Sequence, residues 1–563
     1  MSERWRVWAP NASRVDLVTG GVRRAAIPEG GGWWGTDAPD PGGEYGVSLD
    51  GGPARPDPRS VEQPRGVHGP SRWPRPQPAP RWFKPAPLGE GLVYELHVGT
   101  FTPQGTFDAA IDHLDHLVAL GVTHVEIMPV HAFPGRHGWG YDGVNLFATY
   151  APYGGPDGFR RFVDAAHESG LGVILDVVYN HLGPDGNYLP EFGPYFTDEH
   201  QTPWGAAVDL AQQEVRAFFS DNARAWIALG CDGLRLDATH ALIDDSPLHF
   251  LAELADDVRS LERVIGRPVA LIAEHEGEDA RVVGDPHDGG FGLDALWYDD
   301  LHYAVRAAIT PDGSTYFDDR TPLANLARAI THGCDEVRRP EWRRASHAPV
   351  TDGKKLVGYL QNHDQIGNRP LGERLGRLAR PGALRFASAL LFVSPFVPMI
   401  FQGEEWDAST PFQYFVDHER EQLRRAVREG RRKELGERGW DPDKVPDPGA
   451  PAAFQSSILD WRELTQHRHA DVLAWYRALA ALRRRRPELR DGHRDRITCA
   501  WDEQARWFTM QRGPVALLAN LGDQPARLPR PRGTRVLAFP SAPAEQDGAL
   551  VLAPDSVAVY EAP

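Results

Sequence analysis

The sequence predicts an α/β protein built on a closed (β/α)8 TIM barrel, with an N-terminal β-sandwich before it and a C-terminal antiparallel β domain after it. Three observations predict this. From Leu92 onward, eight short apolar runs are mostly separated by helical patterns, as a parallel barrel requires. Over residues 1–50 and after about residue 495 the apolar period is two instead, the spacing of half-buried strands. Several apolar runs of the middle segment end in an acid, at the rim where barrel enzymes keep their chemistry.

Composition narrows the function. The chain has 563 residues, too many for one ordinary domain. A net charge of −17 argues against a nucleic-acid partner and against an anionic membrane surface. The basic run at 483–486 reads as a solvated helix face or turn. Cys231, Cys334 and Cys499 are odd in number and far apart, which suits a reducing cytoplasm better than a disulfide framework or zinc knuckle. MSERWRVWAPNAS has no apolar core of signal-peptide length. The longest apolar run, 386–401, is broken by Pro395 and Pro398, so it reads as a helix end and a buried strand, not a membrane span. A cytoplasmic location is expected. Seventeen tryptophans and 15 tyrosines hint at sugar binding, because pyranose faces stack on aromatic rings.

In chain order, WRVWAP, RVDLV, a Gly-rich turn with Trp33 and Trp34, and EYGVSL have sandwich-like spacing. Eleven prolines between residues 53 and 87 exclude a helix and predict an extended, packed linker. The boundaries expected are 1–85 for sandwich and linker, 86–492 for the barrel and 493–563 for the last domain. The barrel strands are expected at 92–97, 123–128, 171–177, 232–237, 269–274, 294–297, 355–360 and 396–401. Helices are expected near 107–119, where Phe107, Ile111, Leu114, Leu117 and Val118 share a period, and near 158–169, 212–229, 247–265 and 469–486. Between the last strand and last helix lie a polar Arg/Glu stretch (419–438) and a Pro-rich segment (441–451).

Side chains alternate across a strand, so in GLRLDATH (233–240) Arg235 and Asp237 share one face and the leucines the other. With the leucines toward the helices, Asp237 stands at the barrel rim. A guanidinium two residues away favours an ionised carboxylate, which suits a nucleophile. A structural Arg–Asp pair is the alternative. Asp176 closes the third strand, Glu274 the fifth, and Asp364 lies just beyond the seventh. One such acid could cap a helix; four at one rim, each beside His, Asn or Arg, read as a site. Glycoside hydrolysis needs one carboxylate ionised at the anomeric carbon and one carboxyl protonated at the leaving oxygen. Asp237 suits the first role. Glu274 follows the apolar run 269–273, which suits a carboxyl kept protonated by desolvation.

The constellation resembles glycoside hydrolase family 13, the α-amylase superfamily. Its four motifs appear in order as DVVYNH (176–181), GLRLDATH (233–240), the acid of LIAE (271–274) and NHD (362–364). The resemblance implies Asp237 as nucleophile, Glu274 as general acid/base and Asp364 as a third carboxylate that helps distort and stabilise the sugar. It implies retention through a glycosyl–Asp237 intermediate, with the two carboxyls roughly 5–5.5 Å apart. Arg235, His181 and His363 would contact the sugar or orient the acids, Asp176 would orient Arg235, and Tyr141 would stack beneath the sugar. Trp139, His240 and Gln365 complete the substrate-binding set; His240 reads equally as a leaving-group contact or loop packing. After Glu274 the chain reads HEGEDARVV, where the family pattern has a small polar residue and an Asp. His275 and Glu276 are therefore either leaving-group contacts or exposed loop variation.

WRVWAPNASRVDLV and VYELHVGTFTPQGTF (93–107) resemble the subgroup with an N-terminal sandwich. MPVHAFPGRHGWGYDGV (128–144), LDVVYNHLGPDGNYL (175–189), QNHDQIGNRPLGERL (361–375) and MIFQGEEW (399–406) are most similar to its trehalose-releasing hydrolases. This implies maltooligosyltrehalose as substrate, cleaved at the α-1,4 bond next to its terminal trehalose. The competing readings are a branching or debranching enzyme, a noncatalytic glucan-binding protein, and a metal hydrolase using His131, His137, His181, His240 and His363. The histidine spacings match no HExxH helix. Some superfamily members bind calcium near the residue equivalent to Asn180, but no oxygen-ligand loop is recognisable beside it, so no metal and no cofactor are expected. Trp204 and Trp297 read as core or as sugar platforms alike; Trp226, on an apolar helix face, reads as core.

Overall fold

The fold is described from a computed structural model, for residues 4–78, 80–310, 321–333 and 349–563. Cys334 lies outside the described residues. Eight parallel strands close into a barrel: β1 (Val93–Leu96), β2 (His124–Ile127), β3 (Gly172–Val177), β4 (Gly233–Leu236), β5 (Ala270–Ala273), β6 (Ala295–Trp297), β7 (Leu356–Tyr359) and β8 (Val397–Phe401), with β8 pairing back onto β1. All eight fall inside the runs read from the sequence.

Alternation sorts their side chains into two shells. Val93, Ile174, Ile272, Ala295, Val357, Val397 and Met399 pack in a closed cluster inside the barrel. Intervening residues such as Leu234, Leu236, Leu271 and Leu296 join the larger core against the helices. Nearer the C-terminal rim, Glu95 and Glu126, side by side in register on β1 and β2, are both buried. Fully burying a side chain such as Val or Leu contributes about 1.5–3 kcal/mol, so an acid among them must serve another purpose.

The helices follow the amphipathic pattern with two departures. The segment expected as one helix at 107–119 is two, Phe107–Ile111 and Leu114–Leu120, and Val118 is exposed rather than core. The first starts at a cap, the Thr106 hydroxyl accepting from the Ala109 amide at 3.2 Å, and its C-cap is Asp112. The polar stretch after β8 forms a helix, Glu421–Glu437, in which only Arg431 and Leu435 are buried.

Strands Arg4–Trp8, Trp33–Asp37 and Ile27–Gly30 form one N-terminal sheet; Val15–Thr19, Val22–Ala25 and Glu44–Leu49 belong to the other. Trp33 and Trp34 open a strand; the turn is left to Gly31 and Gly32, both at positive φ. In the linker, buried Asp57 accepts from Trp5 Nε1 at 2.7 Å and from the Tyr45 hydroxyl at 2.9 Å, which fastens it to the sandwich. Arg59 pairs with Asp221 at 2.9 Å and ties it to the barrel.

The last domain comprises a five-stranded and a three-stranded antiparallel sheet, beginning at Ile497. It grips the barrel through the buried guanidinium of Arg512, which lies beside a buried guanidinium of the barrel itself. Within the barrel, Arg483 on the helix His467–Arg485 donates to the Phe392 and Ser394 carbonyls, each at 2.9 Å, and to the Phe396 carbonyl at 2.6 Å. Arg512 donates to the Val393 carbonyl at 3.0 Å and the Asp491 carboxylate at 2.7 Å. The run at 483–486 is therefore not a solvated face: Arg483 is buried, and Arg485 and Arg486 pair with Glu561.

Candidate active site

The strand ends deliver four acids to one place, and Arg235 on β4 organises three of them. Its Nη1 lies 2.7 Å from Asp176 and 3.0 Å from Asp237, and its Nη2 lies 2.8 Å from Glu274. The guanidinium carbon stands 4.0 Å from the centre of the Trp297 ring. Directly after Asp237 the chain turns through Ala238 at φ 38°, a left-handed conformation unusual for alanine. This turn aims the Ala238 amide at Glu274 Oε2, 2.9 Å away. Asp237, Glu274 and Asp364 all line a cleft of about 430 Å³.

The apolar setting expected to keep Glu274 protonated is not found in this geometry. Glu274 is not in an apolar pocket. Burial pushes it up, but Arg235 and the Ala238 amide outweigh burial and hold it below its ordinary value. Asp237 is raised well above the carboxylate range by burial and then by the neighbouring Glu274. The acid marked as ionised by its neighbouring arginine shares that arginine with two others.

Asp364 lies in the short helix His363–Gly367, whose start is capped by Asn362 Oδ1 accepting from the Gln365 amide at 2.8 Å. Burial raises Asp364 against the pull of His363. The His363 ring bonds Glu95 through Nδ1, while its Nε2 lies 3.7 Å from Asp364. Burial opposes a charge on His363, but Glu95 and then Asp364 prevail and raise it to about 9. Tyr141 stacks on this imidazole at 5.0 Å and donates to Asp176 at 2.6 Å.

The other expected residues divide. Trp139, Tyr141, His181, His240 and Trp204 line the cleft. Trp139 Nε1 donates to the Gln413 carbonyl at 2.9 Å, leaving it 6% exposed. His181 is lowered to about 4 by burial and lies face to face with Trp204 at 4.7 Å. Trp204 is half exposed at a hairpin tip, so its core reading fails; Trp297, buried beneath Arg235, is no open platform. Trp226 is core. His240 accepts from the Glu276 amide at 3.2 Å, which ties a cleft residue to the loop after Glu274. His275 turns inward to the Thr239 hydroxyl at 3.1 Å, so it is not exposed variation. Gln365 is not among the cleft residues; its amide reaches Asp299 at 3.3 Å.

Some cleft residues lie in none of the four motifs. Asn368, Tyr414, Val427, Arg431 and Glu434 line it, the last three from the polar helix. Glu95 and Glu126 support it from below. An acid inside an otherwise apolar strand, as in VYELH and HVEIM, is the signal that marks them. Glu126 is raised well above its ordinary value by burial and then by Glu95, and neither of its oxygens has a partner among the described residues.

Asn180 is fully buried and its side-chain atoms have no partner, yet among the described residues no three acids, histidines or cysteines are grouped to hold a metal. His131 is core against Trp226, and His137 stacks on Phe454. Among the described residues these histidines form no metal-hydrolase centre.

Residues 79–202 match the family described as alpha amylase, catalytic domain, and 492–559 match a domain of unknown function, DUF3459. The chain is 36% identical to a crystal structure of an alpha amylase candidate from Salmonella typhimurium, with a TM-score of 0.90 over 100% of this chain and 97% of that one. Barrel, motifs and matches together define an α-amylase superfamily glycoside hydrolase. The chain is 42% identical to the malto-oligosyltrehalose trehalohydrolase of Mycobacterium tuberculosis, over 99% of both chains. It is 43% identical to that of Arthrobacter ramosus, over 96% of both. The chain belongs to the malto-oligosyltrehalose trehalohydrolase family. Among the described residues no helix is long and apolar enough to cross a membrane.

Proposed function

We propose that this protein hydrolyses the α-1,4 bond beside the terminal trehalose of maltooligosyltrehalose, with retention, and releases trehalose. The observation that carries the reading is Arg235 holding Asp176, Asp237 and Glu274 at a cleft that Asp364 also lines. Near full-length similarity to trehalohydrolases supports the substrate. Asp237 is the nucleophile and Glu274 the general acid/base. Positive charge building at the anomeric carbon favours ionised Asp237, which attacks it, while protonated Glu274 gives its proton to the leaving oxygen. Asp364 and the charged His363 bracket the sugar ring, and Tyr141 supplies the apolar face beneath it. A cytoplasmic location is part of the reading, supported by free Cys231 and Cys499.

Chromatography of the products from maltooligosyltrehalose and, separately, maltopentaose tests the reading. Free trehalose from the first and little cleavage of the second are expected. Equal cleavage of both would remove the specificity, and new branch points on amylose would favour a branching enzyme. Glu274→Gln should lower kcat by about 10²–10⁴-fold.

A further inference from the structure

The helix Glu421–Glu437 forms a wall of the cleft without carrying any of the four motifs. It offers the core little, yet buried Arg431 reaches from it to the C-terminal end of the short helix that bears Asp364. Its Nη2 donates to the Gly367 carbonyl at 2.6 Å, and its Nη1 donates to Asn368 Oδ1 at 2.9 Å and to Glu434 at 3.1 Å. The guanidinium carbon lies 5.4 Å from the centre of the Tyr414 ring. Asn368 then donates through Nδ2 to Asp364 Oδ1 at 3.2 Å.

The order of these bonds matters. A primary amide can present either end to a neighbour, and only its NH2 end is attractive to a carboxylate. A guanidinium has donors alone, so it can hold only the oxygen end of Asn368. With the oxygen held, the NH2 must face Asp364. We propose that Arg431 is a positioning residue for the reaction: by fixing which way the Asn368 amide points, it sets the orientation of the Asp364 carboxylate toward the sugar. Val427 and Glu434 of the same helix also face the cleft, so the wall that meets the substrate is the wall that seats this acid. The proposal rests on the role given above to Asp364.

The test uses the full chain and compares Arg431→Met, Asn368→Ala, the double variant and Arg431→Lys. Trehalose release and thermal unfolding are measured on each. A small misplacement of a reacting group can cost up to about 10²-fold. Arg431→Met should therefore lose about 10- to 100-fold in kcat/KM, chiefly through kcat. The double variant should be no worse than the poorer single one, and Arg431→Lys should recover part of the loss. Multiplying losses, or a loss wholly in KM, would overturn the proposal and leave Arg431 as a helix anchor.

Asn368→Asp covers a failure of Arg431→Met to fold. It keeps an acceptor for Arg431 but turns a like charge on Asp364, so activity should fall and the acid limb of the pH profile should move up. Wild-type rates and profile in Asn368→Asp would overturn the proposal. If the wild-type protein cleaves maltopentaose but releases no trehalose, the functional reading fails instead, and the same variants are then compared on maltopentaose.

Discussion

Arg235 touches three carboxylates with two nitrogens and rests on the Trp297 ring, so its planar fork is used on both edges and one face. A lysine offers a single point charge that cannot span Asp176 and Glu274 together. Arg235→Lys should cost roughly 10²-fold or more in kcat/KM; steady-state kinetics within tenfold of wild type would contradict the shared clamp. The acids at the strand ends were legible because they interrupt apolar runs at regular places. Their protonation was not, since it depends on which carboxylates one guanidinium reaches after the strands close. Gln365 shows the opposite limit: it lies inside a motif, yet the turn of a five-residue helix directs it to Asp299, away from the cleft.

At the scale of elements, the helix His363–Gly367 is built against Trp139 with no room to spare. A β-carbon on Gly367 would stand 2.0 Å from one Trp139 ring atom and 2.1 Å from another. Gly367→Ala must displace that ring or the helix that carries Asp364. It should lower the unfolding free energy by about 1–3 kcal/mol and reduce kcat/KM at least tenfold, read by thermal unfolding and kinetics. Wild-type values for both would mean the contact relaxes freely. Barrel strands were readable because period-two alternation and buried runs leave a direct trace. The helix Glu421–Glu437 was readable only as a polar stretch: its contribution to the cleft comes from where it lies, and one buried arginine among charged neighbours leaves no periodic signal.

For the whole molecule, the last domain meets the barrel at a buried polar seam, where its Arg512 lies beside Arg483 of the barrel. Arg483 is held well below its ordinary value by burial, then by Arg512, yet five carbonyl contacts from 392 to 396 depend on these two side chains. Replacing Arg512 by leucine leaves buried acceptors without donors. Arg512→Leu should destabilise the chain by about 2–4 kcal/mol in denaturant unfolding and leave kcat/KM unchanged, because it lies outside the cleft. An unchanged midpoint would show that the last domain is held by its apolar contacts alone. The sequence displayed this domain as a change of period, but not its attachment, because a basic run looks the same in solvent as over buried carbonyls.

The face-to-face pair of His181 and Trp204 gives the cleft an optical property. Burial keeps the imidazole neutral down to about pH 4, while its indole partner remains half exposed at a hairpin tip. A sugar settling against that indole strips water from a chromophore that already faces the solvent. Tryptophan emission of the wild-type protein should therefore shift as malto-oligosaccharide fills the cleft, and that part of the shift should be lost in Trp204→Phe.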